Sequence, residues 1–144
     1  MATRRERIIV EQFSADWKYR YDKEQYGLPD AWHIIHEKSV HGKWVGDCED
    51  YALTLLWLFS DKSYLKFWWA LISGKAKICL VGPSKWKVTH AVLRYNGVYV
   101  DNWTKELCPK SAIIDNGFTF HPFACLFYEV AIRMTYSWIR RKFK

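Results

Sequence analysis

The segment that most constrains the fold of this chain is a predicted β-hairpin centred on Asn96-Gly97. Asn-Gly is the strongest short-range signal for a two-residue hairpin turn, because both central residues of that turn need a positive φ. Strand-forming residues flank it, over residues 89–95 on one side and 98–103 on the other. A two-residue loop sets the register, so we expect Arg94 opposite Tyr99 and Val92 opposite Asp101.

The predicted register also brings a base and an acid together. His90 lies opposite Trp103 in this register, and side chains alternate between the two faces of a strand, so His90 and Asp101 share a face as diagonal neighbours. A carboxylate beside an imidazole fixes its tautomer and stabilises its charged form. The hairpin therefore predicts a His-Asp pair suited to general acid-base chemistry.

A second predicted element places a cysteine where a thiol can be activated. Asp47 is a good N-cap, Asp50 stands where the acid of a capping box would, and an uncharged apolar run follows over residues 51–59. A helix that is apolar on every side is a buried helix. Its first turn supplies unpaired N–H groups and a positive dipole end, which favour the Cys48 thiolate. Taken alone, Cys48 also fits a small buried residue, but beside a His-Asp pair it predicts a catalytic triad.

The rest of the chain supplies further helix and strand patterns. One buried helix followed by mostly antiparallel strands is an α+β arrangement. The first 45 residues give helix-compatible patterns and turn signals at 27–29 and 41–42, while a loop is expected around Cys108-Pro109 and Asn116-Gly117. The other predicted elements are a helical stretch at 61–73, a short buried strand at 77–81 and a long half-buried strand at 126–138.

Length and composition indicate how many domains the protein has and in which compartment it is expected. The 144 residues, half of them hydrophobic, predict a single domain over 1–144 with a real core. Four widely spaced cysteines without a CxxC pair indicate free thiols. The apolar run near the N-terminus is too short for a signal peptide and no stretch approaches a membrane span, so we expect a cytoplasmic protein of a bacterium, or of the host cytoplasm or virion if it is phage-encoded.

The formal charge of +7 has basic clusters near both ends of the chain. Such clusters attract polyanions, although a solvated basic surface is the commoner outcome. The sequence has no zinc-finger spacing and no aromatic RNA-binding strand. A basic-surface nucleic-acid-binding protein therefore stays an alternative rather than the favoured interpretation.

Three sequence blocks resemble the bacterial transglutaminase-like cysteine peptidases, whose best-known members are the periplasmic LapG-type proteases that release biofilm adhesins. The blocks are WVGDCEDYA at 44–52, THAVL at 89–93 and VDN at 100–102. The resemblance implies a papain-like or transglutaminase-like fold, with Cys48 as nucleophile, His90 as general base and acid, and Asp101 as orienting residue. Those proteases are exported and longer, so we do not expect this protein to share their adhesin substrate. A short relative without an export signal suits a phage genome or a bacterial cytoplasm.

The acidic residues around the cysteine raise an electrostatic objection, since carboxylates near Cys48 disfavour its thiolate. In the family that the chain resembles, the acids flanking the cysteine are implicated in calcium binding, which makes Asp47 and Glu49 candidate calcium ligands; helix capping is the alternative. The chemistry itself requires no cofactor. Trp44 and Trp103 flank two of the blocks and are candidates either for the walls of a substrate cleft or for the core.

The expected activity is that of a cysteine hydrolase, a peptidase or amidase that acts on a protein or peptide through a thioester acyl-enzyme. The same groups would support amine transfer if water were excluded. A different class remains open, in which the protein is a catalytically idle phage structural or assembly component that uses this fold to bind a phage or host protein.

Overall fold

The computed structural model describes residues 3–19, 34–35, 38–83, 90–102, 104–120 and 127–142. These residues form five helices and six strands in an α+β arrangement, as the sequence predicts. The helices are α1 Arg4–Ala15, α2 Cys48–Phe59, α3 Tyr64–Ile72, α4 Lys110–Asp115 and α5 Phe127–Lys142. The strands are β1 Trp17–Tyr19, β2 Trp44–Gly46, β3 Ala76–Gly82, β4 His90–Tyr95, β5 Val98–Val100 and β6 Thr119–Phe120.

Helix α2 is the centre of the fold. Its start is set by Asp47, whose carboxylate accepts from the Asp50 backbone N–H while the Asp50 side chain accepts from the Asp47 N–H, so the predicted capping box is confirmed. Ten of its twelve residues are buried, as expected for a helix that is apolar on every side. It packs on α1, α3 and β4, which makes the Cys48 end of the helix a rigid position.

The main sheet has the order β5-β4-β3-β6, and each neighbouring pair is antiparallel. The hairpin register is the predicted one, with Leu93 opposite Val100 and Arg94 opposite Tyr99. Asn96 and Gly97 both have positive φ, 50° and 82°, as the predicted turn type requires. A separate parallel pair, β1 with β2, leads the chain into α2.

The two faces of the main sheet bury different clusters. Ala91 and Leu93 of β4 join the large core around α2, to which α1 adds Phe13 in contact with the rings of Trp17 and Tyr51. The other face covers a small cluster formed by Cys79, Val81, Val92, Cys108 and Ile113. Because residues alternate along β4, His90 lies on the face of the small cluster.

The strand predicted at residues 126–138 is wrong, because residues 127–142 form helix α5. The large side chains that suggested alternation are mostly exposed on this helix. Val130, Met134 and Ser137, which follow one another at helical spacing, form its inner side instead. A pattern with apolar residues on two sides of a helix resembles the alternation of a strand.

The remaining predicted features are turns and loops. The predicted turn at His41-Gly42 is present and Gly42 has a φ of 74°, whereas the turn signal at 27–29 lies outside the described residues. The loop expected after Cys108 contains the short helix α4. Helix α1 begins with a capping box of Thr3 and Glu6. No helix among the described residues is long and apolar enough to cross a bilayer.

Candidate active site

The predicted His-Asp pair forms at the open end of the hairpin. His90 is the first residue of β4, and Asp101 directly follows β5. The Nε2 atom of His90 and Oδ2 of Asp101 are 2.7 Å apart, within hydrogen-bonding distance. The side chains are 7% and 1% exposed, so the interaction is shielded from water. The diagonal contact expected from the hairpin register is therefore present.

Asp101 is held in place on its other side by the loop that follows it. Its Oδ1 accepts the backbone N–H of Thr104 at 2.7 Å, and its own N–H donates to the Thr104 hydroxyl at 3.2 Å. Burial alone would raise the pKa of Asp101, but the hydrogen bonds with His90 and Thr104 outweigh it and hold that pKa below its usual value. Asp101 is thus an ionised carboxylate fixed against the imidazole.

Phe118 is a site residue that the sequence interpretation missed. Its ring stacks on the imidazole of His90, with the centroids 5.1 Å apart and the planes at 19°. Val81 pairs with His90 on one side and with Phe120 on the other, which brings the Phe118 segment to this end of β4. The contact depends on sheet order rather than on a local motif, so no signal in the sequence marks it. Asp101 and Phe118 together fix the position and the plane of the imidazole.

Cys48 lies at the junction of α2 and β4. The backbone of Ala91, the residue after His90, lies close enough to the Cys48 sulfur to lower the pKa of its thiol. Tyr51, one turn further along α2, is close enough to Asp101 for the carboxylate charge to act on its phenol, and it is held by a 2.6 Å hydrogen bond with Ser14. The first turn of α2 therefore packs against the strand end that carries the His-Asp pair.

The electrostatic surroundings of Cys48 keep it protonated. Burial raises the pKa of the thiol far above its ordinary value, and the charges of Glu49 and Asp47 raise it further. The Ala91 backbone offsets only part of this increase. The thiol donates to Oε2 of Glu49 at 3.4 Å. The acidic neighbours therefore disfavour the Cys48 thiolate, as the sequence predicts. The resting form of Cys48 is the neutral thiol.

Glu49 itself holds a proton more tightly than an ordinary glutamate. Burial, a hydrogen bond with Asp47 and the Asp47 charge raise the pKa of Glu49 to about 8. Two neighbouring carboxyl groups that share a proton titrate as a pair. At neutral pH the Asp47-Glu49 pair therefore carries about one negative charge rather than two.

The calcium site predicted at Asp47 and Glu49 is only partly provided by these residues. The two carboxyl groups adjoin each other, but Ca²⁺ takes about six to eight oxygen ligands and Asp47 already caps α2. Among the residues that the structure describes, no group of three or more His, Cys, Asp or Glu side chains is arranged to hold a metal ion. The described side chains therefore supply only part of a calcium coordination shell.

The two tryptophans predicted to line a cleft have different outcomes. Trp103 lies outside the described residues. Trp44 packs on Phe13 at 5.4 Å and lies under the Lys38 ammonium, along a cavity of about 870 Å³ against α1. Its contacts are those of a partly buried packing residue.

Asn102, beside Asp101, is a second residue that the sequence interpretation did not single out. Its side chain is 5% exposed, and among the residues that the structure describes its Oδ1 has no hydrogen-bond partner. A buried acceptor without a donor is unfavourable, so such a group often meets a ligand or water.

The three cysteines that the structure describes, Cys48, Cys79 and Cys108, are free thiols, as expected. Burial raises the pKa of Cys79 to about 11 and also raises that of Cys108. Neither is one of the three residues of the predicted triad.

Comparisons with known proteins add no family assignment, since no protein-family model matches the chain and a search of curated proteins finds no significant match.

Proposed function

We propose that the protein is a cysteine hydrolase, a transglutaminase-like peptidase or amidase, with Cys48, His90 and Asp101 as its catalytic triad. The observation that carries the proposal is the buried His90–Asp101 hydrogen bond at the strand end against which Cys48 packs. Acyl transfer needs an acid-base pair and a thiol at a helix N-terminus, and here α2, which begins at Cys48, packs on the strand that begins at His90.

The proposed reaction begins with the His90 nitrogen that faces away from Asp101. Because Nε2 is bonded to Asp101, Nδ1 takes the proton of Cys48 as the sulfur bonds to the substrate carbonyl carbon. The backbone N–H groups in the first turn of α2 have no partner within the helix and stabilise the oxyanion. His90 then gives its proton to the leaving amine as the C–N bond breaks, which leaves a thioester on Cys48.

Water completes the cycle. His90 removes a proton from the water as its oxygen bonds to the thioester carbon, and the C–S bond breaks to release the acid. The sulfur regains the proton from His90. Throughout, the Asp101 carboxylate stabilises the charged imidazole and keeps its tautomer. Replacement of the water by an amine would give transfer instead of hydrolysis.

Asn102 Oδ1 is the proposed acceptor for an N–H of the substrate.

The resting site has to be rearranged before this reaction starts, because burial and the acidic neighbours keep the thiol neutral and it donates to Glu49. We infer that substrate, a cation or a partner protein moves or neutralises the Glu49 side chain. Calcium is one such candidate through Asp47 and Glu49. A calorimetric titration that detects no calcium binding, together with activity unaffected by a chelator, would remove calcium from the proposal.

The test of the proposed function is trapping of the acyl-enzyme. We expect an activated acyl ester to acylate Cys48, seen by intact mass and peptide mapping, with and without calcium. Acylation should be absent in Cys48→Ala and slower by at least about 100-fold in His90→Ala, which removes the general base. Cys79→Ala, which removes another buried thiol, is the matched control and should react like the wild type. Cys48 that gains no acyl group, or gains it independently of His90, would indicate an idle site.

Replacement of Glu49 by glutamine is expected to make Cys48 more reactive. Above pH 8, where Glu49 is ionised, glutamine keeps the shape of the side chain but removes a charge that raises the pKa of the Cys48 thiol. The lower pKa increases the thiolate fraction, so alkylation of Cys48 by iodoacetamide at this pH should be about tenfold faster. The exposed Glu11→Gln is the control. Equal rates for Glu49→Gln and wild type would show that Glu49 does not restrain the thiol.

A further inference from the structure

Exposed apolar side chains are concentrated on two helices that contact each other, α3 and α5. Of the twelve large hydrophobic residues that are exposed in the described chain, nine lie on this pair. Scattered exposed apolar residues are ordinary, but a concentration of them marks an interaction surface. The nine residues are Tyr64, Leu65, Trp69, Ile72, Tyr128, Ile132, Tyr136, Trp138 and Ile139. We call them the apolar helical surface.

Helix α5 is apolar on both of its sides. Its inner side is anchored by Val130, which is fully buried. On the outer side, Tyr128, Ile132 and Tyr136 follow at a spacing of four and are 50%, 65% and 59% exposed. Side chains at this spacing form one stripe along a helix. A surface helix ordinarily shows polar residues on its outer side, so an exposed apolar stripe there is unusual.

Helix α3 repeats the arrangement. Phe67 and Ala70 are buried, while Leu65 is 83% exposed and Trp69 is 66% exposed. Leu65, Trp69 and Ile72 are spaced by four and three residues, which places them on one side of the helix. Both helices therefore have an outward apolar stripe in addition to the side that packs on the core.

The charges on these helices indicate the sign of the charge on a partner. The one acidic residue of the pair is Glu129, against five basic residues: Lys66, Arg133, Arg140, Arg141 and Lys142. The net charge of the pair is thus +4. Two copies of a surface with this charge repel each other, which disfavours a homodimer through it. A negatively charged partner is favoured.

The residue types favour a lipid surface over an acidic protein. Five of the nine exposed residues are Tyr or Trp, whose rings combine an apolar body with a polar edge and lie preferentially at the membrane–water interface. Amphipathic helices with aromatic, aliphatic and basic residues lie in that interface without crossing the bilayer. We propose that α3 and α5 dock the protein on an anionic lipid surface. This proposal does not depend on the catalytic one, since none of its residues belongs to the triad.

Co-sedimentation with lipid vesicles tests the proposal. We expect the full chain to sediment with vesicles of phosphatidylglycerol and phosphatidylcholine in equal amounts, and far less with pure phosphatidylcholine or at high salt. The double variant Trp69→Ser and Ile132→Ser should bind at least about tenfold more weakly, because two apolar contacts with the lipid are lost. Arg133→Gln should weaken binding about fivefold. Both variants change exposed residues, so their melting curves should match that of the wild type.

The matched control is the double variant Val40→Ser and Ile114→Ser, which removes exposed apolar side chains elsewhere and should bind like the wild type. The proposal is overturned if the protein sediments equally with both kinds of vesicle. It is also overturned if the control variant loses as much vesicle binding as Trp69→Ser with Ile132→Ser. A dimer in lipid-free sedimentation analysis that Trp69→Ser and Ile132→Ser dissociate overturns it too, because a second copy would then cover the surface. Binding to an acidic protein without binding to vesicles has the same consequence.

Discussion

Replacement of Asp101 by alanine should both destabilise the protein and abolish the proposed hydrolase activity. The substitution leaves His90 Nε2 and the Thr104 N–H without their carboxylate partner in a site from which water is excluded. Removing one member of a buried, hydrogen-bonded pair costs about 3 kcal/mol of unfolding free energy. The hydrolysis rate should fall by about 10⁴-fold, because the imidazole loses its orientation and its stabilising charge. Urea unfolding and assay of acyl transfer measure the two effects.

Asp101→Asn separates the two roles. Asparagine has the same shape and can still accept the Thr104 N–H, so most of the stability should remain while the rate still falls by about 10³-fold or more. If Asp101→Asn retains full activity, Asp101 is a structural residue and does not orient the base.

Wild type and Asp101→Asn should also differ in how their stability depends on pH. The pKa of Asp101 is lower in the folded protein than its ordinary value of 3.8, so the unfolded chain binds the proton more tightly. This stabilisation is fully present above that value and is lost as the pH falls through the lower folded value. Below pH 3.8, wild type should therefore lose stability more steeply than Asp101→Asn, which has no such proton.

Gly46→Ala is expected to have the second large effect. A Cβ atom at position 46 would lie 2.7 Å from Cβ of Asp50 and 2.8 Å from both Oδ2 of Asp50 and Cδ1 of Ile35. These atoms belong to a buried capping box and to a buried core residue, so they have little room to move. Overpacking of this kind costs about 1–3 kcal/mol. Because Asp50 belongs to the cap, the start of α2 and Cys48 should shift as well.

Gly42→Ala is the matched control for Gly46→Ala. Gly42 has a φ of 74° and open space around it, so alanine there meets backbone strain but no neighbour. That strain costs about 1 kcal/mol and should leave acylation of Cys48 unchanged. Gly46→Ala should lower both the melting temperature and the acylation rate. If it lowers neither, the turn before Cys48 adapts more freely than the structure indicates.

The parts of the fold that sequence predicts well are those set by local chemistry. The Asn96-Gly97 turn determines the hairpin register, so the His90–Asp101 contact follows from strand geometry alone. The start of α2 follows from Asp47 and Asp50 in the same way. Both features depend on neighbours that are close in the sequence.

Other features depend on tertiary packing, which a single sequence does not reveal. The stacking of Phe118 on His90 requires the order of β3, β4 and β6. Helix α5 was predicted to be a strand because its outward apolar stripe masks the helical periodicity of its inner side. The packing of the Cys48 end of α2 on β4 is also a tertiary feature, and the motif blocks imply it only through a family resemblance.

The protonated state of Cys48 has a consequence for the lifetime of the protein. Peroxide and other oxidants react with the thiolate rather than with the thiol. In the resting form, burial and the neighbouring acids keep the sulfur neutral, so the group that would perform catalysis is protected from conversion to sulfinic or sulfonic acid. Activation by movement or neutralisation of Glu49 would then expose Cys48 to oxidation only while the site is in use.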